Sequence, residues 1–198
     1  MIYLILTMNT GAKTKISVYG ATHTDYHKSF DALQKAQELG SILAQHDCIT
    51  IVPAGAGFPY WVAKGAHTNK GNVLSFSPAS NEQEHVEIYN LPTKYTDAII
   101  YSGFGYAGSD LLISRTADAV IFGYGGVETI HEFWVAFQEE KPIGILRGAW
   151  STDEVLHDLL KNNPEFDHDR IIFDDDPKRL VEQLIKKANS HRMKEYHL

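Results

Sequence analysis

Cysteine is nearly absent. Cys48 is the only one in 198 residues, so no intrachain disulfide can form, and a reducing compartment, the cytoplasm, is the expected location. It sits in the apolar run Cys48-Ile49-Thr50-Ile51-Val52, which reads as a buried strand, and nothing nearby in sequence would lower its pKa. Long hydrophobic runs are also missing. No stretch approaches the ~20 apolar residues that a membrane span needs. The segment Met1–Leu6 lacks the basic start and cleavage site of a signal peptide, so we read Met1–Met8 as a short ordered extension or an added strand. Nor is there a surplus of positive charge. The net charge of -7 gives no electrostatic support to nucleic-acid binding, although local backbone dipoles can still hold an anion.

Several signatures are absent as well. No G-x-G-x-x-G follows the first strand and no acidic residue ends the second, which disfavours NAD. Gly11-Ala12-Lys13-Thr14 ends like a Walker A loop but lacks the earlier glycine and the preceding strand. There is no G-x-S-x-G elbow to support a serine triad. Of ten histidines, His23 and His27 are four apart, yet no third ligand suggests itself, so no metal site is expected.

What is present is a regular alternation of short β-branched runs and helical patterns. Strands are expected at Ile16–Tyr19, Cys48–Pro53, Val73–Phe76, Ala98–Tyr101, Ala119–Phe122, Ile143–Leu146 and Arg170–Phe173. Helices are expected from about Phe30 and over Tyr60–Ala66, Gly108–Thr116, Val127–Glu140, Thr152–Lys161 and Pro177–Ala188, the last with Asp176 as N-cap. This order predicts an α/β, three-layer, Rossmann-like fold: a mostly parallel sheet of about seven strands with helices on both faces. Residues 1–198 read as one domain, with 1–14 an extension and 190–198 a tail, frayed or a helix continuation. The polar stretch Ser77–Asp97 reads as a long surface excursion, long enough to serve as a lid.

Ligands of such sheets bind beyond the carboxyl ends of the strands. Four of the turns expected there carry glycine: Gly20-Ala21-Thr22, Gly55-Ala56-Gly57, Gly103-Phe104-Gly105 and Gly123-Tyr124-Gly125-Gly126. The most informative stretch is Gly125-Gly126-Val127-Glu128-Thr129-Ile130-His131-Glu132, which follows a strand and opens a helix, where free amides and the helix dipole favour phosphate. Thr129 is expected to touch the phosphate or cap the helix. Glu132 would lie near a sugar, although from position alone a solvated helix carboxylate is the default reading. Phe58, Tyr60 and Trp61 either stack on a flat ring or pack a short helix, and Trp134 and Phe137 either meet another subunit or pack on the sheet.

Ala117-Asp118-Ala119-Val120-Ile121, the Gly-Gly loop, Glu132 and Lys141-Pro142-Ile143-Gly144-Ile145-Leu146 together resemble the SLOG superfamily. That group includes the lonely-guy phosphoribohydrolases and the molybdenum-cofactor carrier proteins. Ile16–Gly20, the helix through Leu39-Gly40, and Gly55–Ala66 extend the likeness over roughly Lys15 to Leu146. Its pattern is G-G-x-G-T-x-x-E after an Ala-Asp-hydrophobic strand, and members are commonly homodimers or larger. The chain departs from the family in three places, one of them the usual Gly-Gly-Gly turn after the second strand, which here is Pro53-Ala54-Gly55-Ala56-Gly57. Glu128 replaces the second glycine of G-x-G-T, and Ser109 stands where the hydrolases carry the arginine that pairs with the loop glutamate. The resemblance, with these departures, implies a carrier or sensor of a phosphate-bearing small molecule, either a nucleotide or a pterin such as the molybdenum cofactor, with no other cofactor required. The alternative is hydrolysis of the N-glycosidic bond of a nucleoside 5′-monophosphate with Glu132 catalytic, and a second alternative is a non-enzymatic interaction subunit. Expected ligand contacts are Gly20, Ala21, Thr22, Gly55, Gly57, Gly103, Ser109, Gly125, Gly126, Val127, Glu128 and Thr129. A homodimer or higher homo-oligomer, with no nucleic-acid or membrane partner, completes the expectation.

Overall fold

Seven strands align in one all-parallel sheet: β1 (Lys15–Tyr19), β2 (Ile49–Pro53), β3 (Asn72–Ser77), β4 (Ala98–Tyr101), β5 (Ala119–Phe122), β6 (Ile143–Leu146) and β7 (Ile171–Asp174). Their spatial order is β4-β3-β2-β1-β5-β6-β7. The computed structural model describes residues 12–23, 30–163 and 168–195, with side chains to 192. The expected extension Met1–Met8, His27 and the last three residues of the tail lie outside them.

Among the described residues six α-helices cover the sheet. On one face α1 (Phe30–Gln45), α2 (Phe58–Thr68) and α6 (Pro177–Glu195) pack Leu39, Val62 and Leu180 against Ile16, Val18 and Ile121. On the other, α3 (Gly105–Thr116), α4 (Val127–Gln138) and α5 (Thr152–Lys161) bring Ile113, Phe133 and Leu156 against Ile51, Val120 and Ile143. Every residue of β5 and β6 is buried, as continuous apolar runs in a sheet covered on both faces require. Along α4, Phe133 is fully buried while Ile130, Trp134 and Phe137 pack half-buried on the same cluster, so that stripe faces the sheet.

The elements match the pattern with small differences at their ends. α3 starts at Gly105 instead of Gly108, because the turn at Gly103 (φ +69°) and Gly105 (φ +67°) is fixed by amide bonds to the carbonyls of Ala79 and Pro78. The last helix runs on to Glu195, and Asp176 accepts the amide of Arg179 as an N-cap does. Cys48 lies one residue before β2 and is 1% exposed; burial, then Asp47 and Asp118, push its thiol up to about 11. The stretch 77–97 is less superficial than its polarity suggests. It holds one π-helical turn (Glu84–Ile88), and His85 within it is fully buried between Ser77 Oγ (2.8 Å) and the Pro92 carbonyl (3.2 Å).

Asp118, the acid of the Ala-Asp motif, has a structural task at the amino end of the sheet. It accepts the Lys15 amide at 2.8 Å, faces the Lys15 ammonium at 3.3 Å, and so ties the start of β1 beside β5. Two glycines set how closely the helices pack: a Cβ on Gly40 would stand 2.0 Å from the Val62 carbonyl oxygen, and one on Gly65 1.9 Å from that of Gln37. Gly40→Ala is therefore expected to destabilise the protein by about 1–3 kcal/mol, the usual cost of overpacking. The readout is a lower urea midpoint at unchanged slope. An unmoved midpoint would mean that α1 and α2 are not in such contact.

Candidate functional site

β1 and β5 are neighbours in the sheet although three strands separate them in sequence, so the chain reverses its winding direction there. The carboxyl ends of strands at such a reversal are where open parallel sheets place ligands. Hydrogen bonds lace three loops together at this rim. The Ala21 amide donates to the Tyr124 carbonyl (2.8 Å), the Phe58 amide to the Ala21 carbonyl (2.8 Å), and the Ala56 amide to the Thr22 carbonyl (2.9 Å). Glycine is required for such proximity: a Cβ on Gly57 would stand 2.0 Å from the Ala21 oxygen, and one on Gly20 2.6 Å from that of Tyr124. Phe58 is fully buried beneath these turns, against Gly20 and Gly123, so it packs the core and does not stack on a ligand.

The structure thus gathers Gly20, Ala21, Thr22, Gly55, Gly57 and residues 123–129 at one rim. Gly103 is not among them. It follows the edge strand β4, three strand spacings or roughly 14 Å from β1. Ser109 also serves elsewhere, since its hydroxyl is 3% exposed and bonds Ser102 Oγ (2.7 Å) and the Gly105 carbonyl (2.8 Å).

α4 opens on Gly126 with no side-chain cap, and α2 on Gly57 likewise. Of the first-turn amides of α4, that of Thr129 donates to the Gly126 carbonyl (3.2 Å), and those of Val127 and Glu128 face solvent or a ligand. One backbone group of this loop is already committed: Thr152 Oγ1 accepts the Gly125 amide (2.9 Å) and donates to the Gly125 carbonyl (2.7 Å), clamping the loop to α5. Thr129 does not cap the helix. It is fully buried, with Oγ1 turned back toward Gly125 and without a hydrogen-bond partner. Val127 is 82% exposed, and Glu128 is exposed with its carboxylate curled back toward Gly126, over the loop.

Glu132 corrects the default expectation of a solvated helix carboxylate. It is 5% exposed, with Oε2 buried and unpartnered. Burial first, then Asp110 and Glu128, raise its pKa well above the usual carboxylate range. Asp110 on α3 is pushed up to about 6 by burial, with His131 pulling it back down. Tyr19, at the end of β1, donates to the Asp110 main-chain oxygen (2.9 Å) and lies 3.3 Å from Ser114 Oγ. No lysine or arginine contributes to either carboxyl shift. Beneath the rim, then, lie two buried acids, both with raised pKa values, and the hydroxyls of Tyr19 and Ser114 stand beside Asp110's helix. Asp110, Tyr19, Ser114 and Thr152 carry no motif. Their one sequence signal is the polar stripe Ser109, Asp110 and Ser114 on a single side of a helix.

The sequence profile of the SLOG cluster4 family matches residues 13–181. The chain belongs to that family. Among curated proteins none matches the chain significantly in sequence. Solved structures of the same fold include the molybdenum cofactor binding protein of Rippkaea orientalis, 20% identical with a TM-score of 0.69 over 88% of this chain and 97% of that one. The molybdenum cofactor carrier protein of Chlamydomonas reinhardtii is 18% identical at 0.71, over 90% and 99%. TM1055 is 21% identical at 0.71, over 88% and 99%. In this SLOG cluster4 chain, the buried Glu132 has an acidic neighbour, Asp110.

That neighbour has a consequence for stability. The ordinary pKa of Asp110 is 3.8, so between about pH 4 and pH 6 the folded protein keeps a proton that the unfolded chain has released. This contribution is present below pH 4 and is lost as pH rises through 6. Asp110→Asn is expected to be more stable than the parent at pH 7 by on the order of 3 kcal/mol, with the gap closing near pH 3.5. Chemical denaturation at both pH values checks it; equal stability at pH 7 would mean the carboxyl is not desolvated.

Proposed function

We propose that the chain is a carrier or sensor that holds a phosphate-bearing small molecule, a nucleotide or a pterin cofactor, at the rim between β1 and β5. The observation that carries this reading is the uncapped, glycine-built start of α4 at the point where the winding reverses, laced to the loops after β1 and β2. Backbone amides and the helix dipole would receive the phosphate, and the heterocycle would extend toward Thr22 and α2. The fold shared with two molybdenum-cofactor-binding proteins supports a pterin as one candidate. The net charge of -7 and three carboxyls at the site speak against a polyanion such as nucleic acid.

A second reading, hydrolysis of an N-glycosidic bond, is favoured by the carboxyl pair. Burial raises Asp110 to about 6 and Glu132 well above the usual carboxylate range, and a buried acid with a raised pKa suits a protonating role. A thermal-shift screen with nucleoside monophosphates, cyclic and dinucleotides, and pterin cofactors tests both. A ligand at one hundred times its dissociation constant contributes about 2.7 kcal/mol and raises Tm. That shift should disappear in Gly126→Asp. Release of free base from the bound nucleotide would move the assignment to the hydrolase. No shift with any class would leave a subunit whose pocket has no small-molecule role.

Glu128 separates this site from a freely accepting phosphate cradle. Its carboxylate curls over the loop and opposes a phosphate there. Glu128→Gly is expected to tighten nucleotide or inorganic phosphate binding by about tenfold, the equivalent of ~1.4 kcal/mol. Unchanged affinity by calorimetry would mean that the phosphate does not meet the α4 amides.

A further inference from the structure

Oxygens of two side chains crowd the Gly125-Gly126 backbone at the start of α4. Thr129 is fully buried, and its hydroxyl has no hydrogen-bond partner. A Cβ on Gly125 would stand 2.0 Å from that oxygen, so the hydroxyl lies directly against the loop. Glu128 is exposed, and a Cβ on Gly126 would stand 2.9 Å from its Oε2 and 3.4 Å from its Oε1. Although the carboxylate hangs over the first turn, no side chain caps the helix by a hydrogen bond. An orphaned buried hydroxyl needs an explanation, and a phosphate oxygen at Gly125 would be its acceptor.

The side-chain charge around this loop has one sign. Glu132 lies one turn further along α4 with Oε2 buried and unpartnered, and the charges that act on it, Asp110 and Glu128, are both acidic. Lys35 lies over Trp150, which meets Tyr124 edge-on, but its ammonium donates to the Arg147 and Asp175 carbonyls (3.0 Å each). A phosphate set on the α4 amides would therefore meet the Glu128 carboxylate, anion against anion. A cation that binds both reconciles them. Magnesium has the right habit, since it takes oxygen ligands and is characteristically held by one or two carboxylates together with the phosphates of a substrate. Among the described residues no three histidine, cysteine or acidic side chains come together as metal ligands, so the protein alone offers only part of such a site.

We propose that the rim takes its phosphate-bearing ligand together with a divalent cation, with Glu128 holding the ion and the Thr129 hydroxyl donating to the phosphate. This rests on the reading of the β1–β5 rim given above and adds to it the ionic form of the ligand. Phosphate oxygens and water complete the ion's coordination. Ion and ligand then bind as partners: whatever factor the ion adds to the ligand's affinity, the ligand adds to the ion's. Glu128 gains a use at the position where the family pattern has glycine. Without the ion its charge opposes a phosphate; with the ion the same charge becomes the anchor.

Calorimetry of the full chain with AMP, ADP and inorganic pyrophosphate, each in EDTA and in excess Mg2+, tests this. In the parent, Mg2+ is expected to tighten whichever probe binds by about tenfold or more. Glu128→Gln keeps the shape and removes the charge, so it should bind more tightly than the parent in EDTA and lose the gain from Mg2+. Thr129→Val is expected to weaken binding by about tenfold in both media alike, as loss of a hydrogen bond to a charged group does. Mn2+ gives a readout that needs no variant: water-proton relaxation should show the ion held by protein and ADP together, beyond the effect of ADP alone, and not by the protein without ADP. No gain from Mg2+ in the parent, an equal gain in Glu128→Gln, or Mn2+ held without a ligand overturns the proposal and leaves the phosphate site standing. Unchanged affinity in Thr129→Val overturns the hydroxyl contact. No binding of any of the three probes, with or without metal, overturns the phosphate reading and this proposal with it.

Discussion

Everything at the rim depends on the closeness of two chain segments that are a hundred residues apart. The Gly123 amide reaches the Tyr19 carbonyl (3.1 Å), and the Ala21 amide reaches the Tyr124 carbonyl (2.8 Å), so the loops after β1 and β5 are joined before either diverges. At the opposite end Asp118 fixes the same two strands in register. With both ends held, the direction in which α4 leaves the sheet is set, and with it where its free amides point. The glycines follow from this constraint: two backbones this close leave no space for a Cβ at Gly20 or Gly57.

The site's electrostatics are divided between backbone and side chains. Amides and the helix dipole favour an anion at the start of α4. The side chains around it are acids: Glu128 over the loop, Glu132 and Asp110 beneath. Burial, then Asp110 and Glu128, raises the pKa of Glu132 and so favours its neutral form, which has both a donor and an acceptor to offer. Glu128 differs from it in being exposed, on the loop itself.

The fold was legible because its signals are local. β-Branched runs at regular spacing, continuous apolar strands and turns rich in glycine give element type and order, and β4, β5, β6 and α5 appear with the expected ends. The loop around Gly126 was legible for the same reason, as strand, glycines and helix follow one another. What escaped depends on which way a helix faces. Glu132 reads as a surface carboxylate one turn into α4, and only the packing of α3 against that side buries it. Asp110 and Tyr19 lie 91 residues apart, and no spacing in the chain announces their contact. Ser109 and Gly103 show the opposite failure: a plausible position in the linear order, but a place in the sheet that turns them toward other partners.

α3 connects these matters. A helix that buries serines and an aspartate on the sheet gains little from the hydrophobic effect on that side, since burial of a hydroxyl stabilises only through the hydrogen bonds it makes. It is held there by Ile113 and by polar contacts, the Tyr19 hydroxyl to the Asp110 carbonyl and Ser109 to Ser102. Leu112, half-buried, packs on the same cluster as Ile113, so the helix that carries Asp110 rests on the sheet through two apolar side chains and a set of hydrogen bonds. The raised pKa of Asp110 follows from its burial there, at the boundary between α3 and α4.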